Sequence, residues 1–363
     1  MAGSLAFAVA FDWDGDGRAD LPVAGRDQPG HAGEIFLHLG GRDEVVRLPI
    51  PAPARGIYDL GDFDGDGRSS LGVDWGDQDL AIYDARSLAT QDPQRPQPAG
   101  WLTQSNRAVA VGDVDGDGDD DFVSAAAVCL GDLPEPCAQA LIMGARSDTV
   151  LPLGDVDGDG KADLCVDDLL IFGGTDGERA RQDQLPWQPV DAFDWDGDGD
   201  LDLLRVERAR EACAGARLSV LERRGGAFVE GPSFELTTAE DRAACRAGGA
   251  RLFVANDGTA ADLDRDGHAD LLFAQDASLR VWYGPKGARR ETIGPAWGNL
   301  LPRRVGDLDG DGFADLLLTT SGEHFVHALS VLDATGRRPI PPPAWYDPDE
   351  DDVWGAVSFR VYP

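Results

Sequence analysis

The sequence predicts an all-β protein, a seven-bladed β-propeller with four-stranded blades. Three observations predict it. An Asp-rich motif, Asp-x-Asp-Gly-Asp-Gly-x-x-Asp-Leu with single-residue variations, starts at Asp12, Asp62, Asp113, Asp155, Asp194, Asp262 and Asp307. The copies are 50, 51, 42, 39, 68 and 45 residues apart, which is the length of one four-stranded blade. Short apolar runs with Gly and Asp punctuation flank the copies, as strands joined by hairpins do.

The strands follow in order. A first apolar run precedes the motif, as at Leu5 to Phe11, Ala108 to Val111 and Val190 to Phe193. A second follows it, as at Leu21 to Ala24, Leu201 to Val206 and Leu271 to Ala274. A third often ends in Gly, as at Ile35 to Gly40, Leu141 to Gly144, Leu169 to Gly173 and Val281 to Gly284. The fourth is weaker, as at Val45 to Leu48. Such a unit cannot bury both its faces alone, and stacking units in a ring solves that. The whole chain, 1-363, reads as one domain with blades near 1-52, 53-103, 104-148, 149-186, 187-247, 248-298 and 299-363. The best helical segment is Ala239 to Arg246, inside the long fifth unit. At the end, Arg337 to Asp352 is Pro-rich and then acidic and reads as an extended excursion. Val353 to Val361 is expected to complete the seventh blade from outside, with pairing to the first blade as the alternative.

The motif has the chemistry of a Ca²⁺ loop. Ca²⁺ takes six to eight oxygen ligands at about 2.3–2.6 Å. Carboxylates at positions 1, 3 and 5, a backbone carbonyl at position 7 and a carboxylate at position 9 supply such a shell, and Gly at position 6 permits the sharp turn. In the first loop these are Asp12, Asp14, Asp16, Arg18 and Asp20. In the second they are Asp62, Asp64, Asp66 and Arg68, with Ser70 at position 9. The third has Asp113, Asp115, Asp117, Asp119 and Asp121, and the fourth Asp155, Asp157, Asp159, Lys161 and Asp163. The fifth has Asp194, Asp196, Asp198, Asp200 and Asp202, and the sixth Asp262, Asp264, Asp266, His268 and Asp270. The seventh has Asp307, Asp309, Asp311, Phe313 and Asp315. About seven Ca²⁺ sites are expected, the Ser70 site being the weakest. Arg265 replaces Gly at position 4 of the sixth loop, a position that need not supply a ligand. One Asp-Gly loop would be ambiguous with a solvated turn, but seven at matched spacing are not.

Charge points the same way. The formal charge is −34, from 66 acidic and 32 basic residues. The proposed ligands hold 27 of the acidic groups, leaving 39 against the 32 basic ones. Four carboxylates crowded into one loop repel strongly without a cation. The acidity also argues against a nucleic-acid or anionic-membrane partner. No run approaches the roughly 18 apolar residues of a membrane span. Leu5 to Phe11 lacks a basic flank and reads as a strand rather than a signal peptide.

The motif between two strands resembles the FG-GAP, or VCBS, repeat, the unit of the integrin α-subunit propeller and of many bacterial surface and secreted proteins. The resemblance covers nearly the whole chain. It implies a seven-bladed propeller with Ca²⁺ in the loop joining strands 1 and 2 of each blade. It implies no single function, since similar proteins include adhesion subunits, lectins and accessory domains of larger enzymes.

Strand alternation puts every Asp loop on one face of the disc, here the bottom. The connections from strand 2 to 3 and from blade to blade lie on the top. Cys129 and Cys137 then share one top loop, and Cys213 and Cys245 flank the top of the fifth blade. Both pairs are expected to form disulfides, with five reduced cysteines as the alternative. Cys165 falls in an apolar strand and reads as a buried thiol. Disulfides and Ca²⁺ both point to a secreted or surface location. Trp75, Trp101, Trp187 and Trp297 fall in or beside top connections, where they either bind a glycan or protein ligand or plug gaps between blades. Trp13 and Trp195 are expected beneath the Asp loops. No catalytic elbow, P-loop or zinc-protease motif occurs. The expected function is a monomeric, non-enzymatic recognition module. A polysaccharide lyase or hydrolase of propeller form, and a structural module of a larger secreted protein, are the alternatives.

Overall fold

The computed structural model describes residues 11–25, 34–42, 45–51, 56–74, 80–85, 97–102, 108–124, 127–131, 150–174, 181–208, 213, 215–247, 259–261, 268, 270–275, 278–283, 290–293, 299–306, 315–321, 330–332 and 339–340. Their strands form seven antiparallel sheets in chain order. The first contains β1 (Leu21–Gly25), β2 (Glu34–His38) and β3 (Val45–Pro49). The second contains β4 (Gly56–Asp59), β5 (Leu71–Asp74), β6 (Leu80–Tyr83) and β7 (Gly100–Leu102). The third contains β8 (Ala108–Gly112), β9 (Asp121–Ser124) and β10 (Ala127–Cys129). The fourth runs from β11 (Val150–Gly154) through β12 (Asp163–Val166) and β13 (Leu169–Ile171) to β14 (Gln182–Gln184). The fifth holds β15 (Asp191–Phe193), β16 (Asp202–Arg208), β17 (Ala216–Arg224) and β18 (Ala227–Glu235). The sixth holds β19 (Thr259–Ala261), β20 (Asp270–Gln275), β21 (Ser278–Trp282) and β22 (Arg290–Ile293). The last holds β23 (Asn299–Gly306), β24 (Asp315–Ser321), β25 (Ser330–Leu332) and β26 (Pro339–Ile340). Each sheet is a simple meander, with neighbours in space also neighbours in sequence.

The core lies between sheets. Side chains alternate faces along a strand, so each sheet has two apolar surfaces to cover. In β6, Ala81 and Tyr83 join Ile35 and Leu37 of the first sheet, whereas Leu80 and Ile82 join Phe122 and Cys129 of the third. Val123 and Leu164 share a cluster between the third and fourth sheets, and Cys165 and Leu203 one between the fourth and fifth. Leu204 and Leu218 meet Leu271 and Trp282 between the fifth and sixth. Every pair of consecutive sheets from the first to the sixth is thus joined by its own buried cluster. Trp13 packs on Phe11 with ring centroids 5.9 Å apart, and Trp195 stacks on Trp282 at 5.6 Å. Both tryptophans are buried beside the Asp loops that carry them.

The helix expected at Ala239 to Arg246 forms with those bounds, as α1 (Ala239–Arg246). Thr238 caps it: its hydroxyl accepts the Asp241 N–H, while the Asp241 carboxylate accepts the Thr238 N–H. Arg280 of β21 then grips Asp241 with two hydrogen bonds of 3.0 Å. Burial opposes ionisation of Asp241, but Arg280 and the cap overcome it and hold the carboxyl down at about 2. The helix is thereby tied to the sixth sheet. Cys213 and Cys245 are disulfide-bonded, with Cα atoms 5.6 Å apart. Cys129 is also in a disulfide; Cys137 lies outside the described residues. Cys165 is a free, buried thiol.

One expectation about outer strands changes. The fourth strand of the last sheet is β26, inside the Pro-rich stretch read as an excursion, pairing Leu332 with Pro339 and Val331 with Ile340. Proline lacks an N–H and is tolerated on an edge strand, where one side of the ladder needs no donor. Val353 to Val361 lies outside the described residues. Trp101, expected in or beside a top connection, lies within β7, one residue before the end of the last strand of the second sheet, opposite Ala81.

The Cys213–Cys245 bond spans 32 residues of sequence. In the chain-entropy model such a closure stabilises by roughly 3–4 kcal/mol. Replacing both cysteines with serine should lower the melting temperature by about 4–5 °C in a non-reducing thermal melt. An unchanged midpoint would contradict the stabilising role.

Candidate metal centres

Each of the first five Asp loops folds around its first carboxylate. In the first loop, Asp12 Oδ1 accepts the N–H groups of Gly15 and Asp16 at 2.8 and 3.1 Å, and Oδ2 accepts that of Gly17 at 2.8 Å. The same wrapping recurs on Asp113, Asp155 and Asp194. The tight turn requires left-handed backbone at position 6, where φ is +85° at Gly17 and +103° at Gly118. Position 4 is left-handed too, from +64° at Gly65 to +83° at Gly116, a constraint that ligand counting did not reveal. Arg265 holds that position in the sixth loop, which lies outside the described residues apart from His268 and Asp270. The seventh loop likewise enters only at Asp315.

Position 9 opens the second strand of the blade and is buried at Asp20, Asp121, Asp163, Asp202 and Asp270. Its carboxylate is a tie. Asp20 accepts the Trp13 N–H and the Gly40 N–H, both at 2.7 Å. Asp121 takes Val114 and Gly131, and Asp163 takes Val156 and Gly173. Asp202 takes Trp195 and Arg223. One side chain therefore links the loop's second residue to the end of the third strand. Burial drives Asp20 up to about 6, and Asp121, Asp163 and Asp202 up to about 7, against the pull of those backbone donors and with help from neighbouring loop carboxylates.

Positions 1, 3 and 9 converge. Asp12, Asp14 and Asp20 offer oxygens that lie within 4.8 Å of one another. So do Asp113, Asp115 and Asp121; Asp155, Asp157 and Asp163; and Asp194, Asp196 and Asp202. Twice a Ca²⁺–oxygen distance is about 5 Å, so one ion can touch all three members of each group. In the second loop the three are Asp62, Asp64 and Asp66. Elsewhere position 5 stands beside the group, with its Oδ1 accepting the position-7 N–H, as Asp16 does from Arg18 at 3.0 Å and Asp198 from Asp200 at 3.0 Å. The sequence expectation put position 5 inside the shell in every loop.

Several of these oxygens are buried without a hydrogen-bond donor: Asp64 Oδ1, Asp66 Oδ1 and Asp157 Oδ1. A buried carboxylate oxygen with no donor is costly and fits a cation as its missing partner. In the first loop Arg42 stands over positions 3 and 5, 2.7 Å from Asp14 and 2.9 Å from Asp16.

The loops also hold one another. The N–H at position 8 donates to the position-1 carbonyl of the preceding loop: Ser69 to Asp12 at 2.7 Å, Asp120 to Asp62 at 2.8 Å and Ala162 to Asp113 at 2.7 Å. Ser69 Oγ and Asp120 Oδ2 return the bond by accepting the N–H of Asp12 and of Asp62. The first four loops therefore form a continuous row along one face.

Of the expected ligand-binding tryptophans, Trp101 is 49% exposed. Trp187 is half-buried against the cluster of Leu151 and Leu221, with the Arg205 guanidinium 5.6 Å over its ring, as a gap-filler would be. Trp75 and Trp297 lie outside the described residues.

The FG-GAP-like repeat family matches residues 262–318, and the FG-GAP repeat matches residues 304–333. The five described Asp clusters repeat the same pattern upstream. No curated protein matches the chain in sequence. Among solved structures, an Agrocybe aegerita lectin described for specific recognition of non-reducing terminal N-acetylglucosamine is 16% identical over 90% of each chain, with a TM-score of 0.54. The V. cholerae biofilm matrix protein Bap1 is 11% identical over 89% of this chain and 79% of its own, with a TM-score of 0.41. A Bacillus licheniformis rhamnogalacturonan lyase is 16% identical over 85% of this chain and 58% of its own, at 0.27. The likeness to the lectin is one of fold. No helix among the described residues is long and apolar enough to cross a membrane.

The raised position-9 carboxyls set a pH dependence for the metal-free chain. Their folded values of about 6 to 7 exceed the ordinary 3.8, so the folded state favours the protonated form. That contribution is complete below the ordinary value and is lost as pH rises through 6 to 7. In chelator, the melting temperature should be higher at pH 5 than at pH 8, by about 5 °C or more. A melt that rises with pH over this range would contradict the buried carboxylates.

Proposed function

We propose that the chain is an FG-GAP repeat protein of propeller type whose Asp loops hold about seven Ca²⁺ ions. The ions bolt a closed seven-bladed, single-domain propeller that binds a glycan or protein ligand outside the cytosol. The observation that carries the metal reading is the set of converging carboxylates with buried oxygens lacking a hydrogen-bond donor, as at Asp64, Asp66 and Asp157. The residues that would hold the ion are the position 1, 3 and 9 carboxylates, joined by position 5 and the position-7 carbonyl. Bound Ca²⁺ supplies the positive charge that lets these buried groups ionise together.

The recognition reading rests on fold and on geometry. The row of Asp loops occupies the bottom face, so the connections on the other face are free to vary. A lectin of the same fold recognises non-reducing terminal N-acetylglucosamine, and a glycan ligand is consistent with that architecture. The disulfides support a location outside the cytosol. The protein acts as a monomer without catalysis, its partner being neither nucleic acid nor a membrane interior. Trp101, exposed on an outer strand, and Trp75 and Trp297 remain the aromatic candidates for contact.

Two measurements test this. A site held at ten times its Kd stabilises by about 1.4 kcal/mol, so chelation of several sites should lower the melting temperature by on the order of 10 °C. An unchanged melt in excess chelator would overturn the metal reading. A glycan array with and without Ca²⁺ should show Ca²⁺-dependent binding. Silence on the array, or turnover of an acidic polysaccharide, would overturn the non-enzymatic glycan reading.

A further inference from the structure

The second loop is the one without a carboxylate at position 9, and sequence alone makes it the weakest site. Its neighbourhood differs in a second way. In β5 and β6, Leu71 pairs with Tyr83, so the next rung places Asp84 opposite Ser70. Residues opposite one another in an antiparallel pair put their side chains on the same face, with Cβ atoms about 4.5–5.5 Å apart. The position-9 side chain faces the loop, and Asp84 therefore faces it too.

The same rung in other blades gives the comparison. The residue opposite Asp20 is Leu39, opposite Asp121 Leu130 and opposite Asp163 Phe172, by the registers Leu21 with His38, Phe122 with Cys129 and Leu164 with Ile171. All three are apolar where position 9 is Asp. Only in the second blade, among the rungs of the first four, is position 9 neutral, and there the opposite residue is acidic. Ser70 is 2% exposed and Asp84 9%, so the acid is buried beside the loop. Among the charges acting on Asp64, at position 3, that of Asp84 is the largest, ahead of Asp66 and Asp62. In the fifth blade Leu203 pairs with Leu221, and Glu222 on the corresponding rung likewise acts on the position-3 carboxylate, Asp196. The rung thus reaches the loop in two blades. Asp62, Asp64 and Asp66 lie within 4.8 Å of one another, and Asp64 Oδ1 and Asp66 Oδ1 are buried with no donor. Asp84 is buried on the rung facing position 9, and its carboxylate lies outside the 4.8 Å group that position 9 joins in the other described loops.

We propose that Asp84 replaces the missing position-9 carboxylate and completes the second Ca²⁺ site from the end of the third strand. The proposal rests on the Ca²⁺ reading above. It makes the second site equal in carboxylate number to the others, its fourth acid moved across one rung of the sheet.

The test is Ca²⁺ stoichiometry and affinity by equilibrium dialysis on the full chain, for the parent, Asp84→Asn, and the double variant Ser70→Asp with Asp84→Asn. The Asp84→Asn chain should lose one bound ion, or bind one about tenfold or more weakly, with the remaining sites unchanged. The double variant should recover that ion, which excludes misfolding as the cause of the loss. Unchanged number and affinity in Asp84→Asn would overturn the proposal while leaving Ca²⁺ binding intact. A parent chain that binds no Ca²⁺ would overturn both readings.

Discussion

Among the described residues, the buried clusters lie between sheets and none belongs to a single sheet. The constraint is geometric: a four-stranded meander has two apolar faces and no second layer of its own. The alternation in β6 expresses it most plainly, since Leu80 and Ile82 serve one neighbour and Ala81 and Tyr83 the other. Each sheet from the second to the fifth is therefore buried between two others. In the first five Asp loops, positions 2 and 9 are buried beside these shared interfaces, whereas the glycines of the turn between them are exposed. What the loops hold together is the seam between sheets as much as the turn within one.

The position-9 carboxylate shows how the seam and the loop are joined. Asp163 spends its two oxygens on the Val156 and Gly173 N–H groups, so it ties the first turn of the loop to the end of the third strand. The same buried group lies with Asp155 and Asp157 in one cluster. Structure and charge are thus coupled in a single side chain. Ser70 breaks that coupling in the second blade, and Asp84 on the facing rung restores the charge without the tie.

Much of this was legible in the sequence, and the reasons are local. The seven-fold motif reports on residues no more than eight apart, and helix α1 was legible as the run Ala239 to Arg246. The Cys213 and Cys245 pair followed from placing both on one face of the disc. What was not legible depends on register. Strand β7, Gly100–Leu102, is too short to show alternation. Strand β26 hides in a proline run because edge strands tolerate residues that central strands exclude. The role of Asp84 is invisible until Leu71 is paired with Tyr83, for no spacing along the chain relates it to Ser70.

The row of loops carries a consequence for how the protein would respond to calcium. Ser69, Asp120 and Ala162 each hang from the first carbonyl of the preceding loop. An ion that orders one loop also immobilises the peptide on which its neighbour depends, so part of the neighbour's ordering entropy is already spent when its own ion arrives. Ions held in such a row would bind cooperatively. The protein would then rigidify over a narrow span of calcium concentration, as a threshold device, and a chain that leaves a calcium-rich medium would soften from its least-linked loop inward.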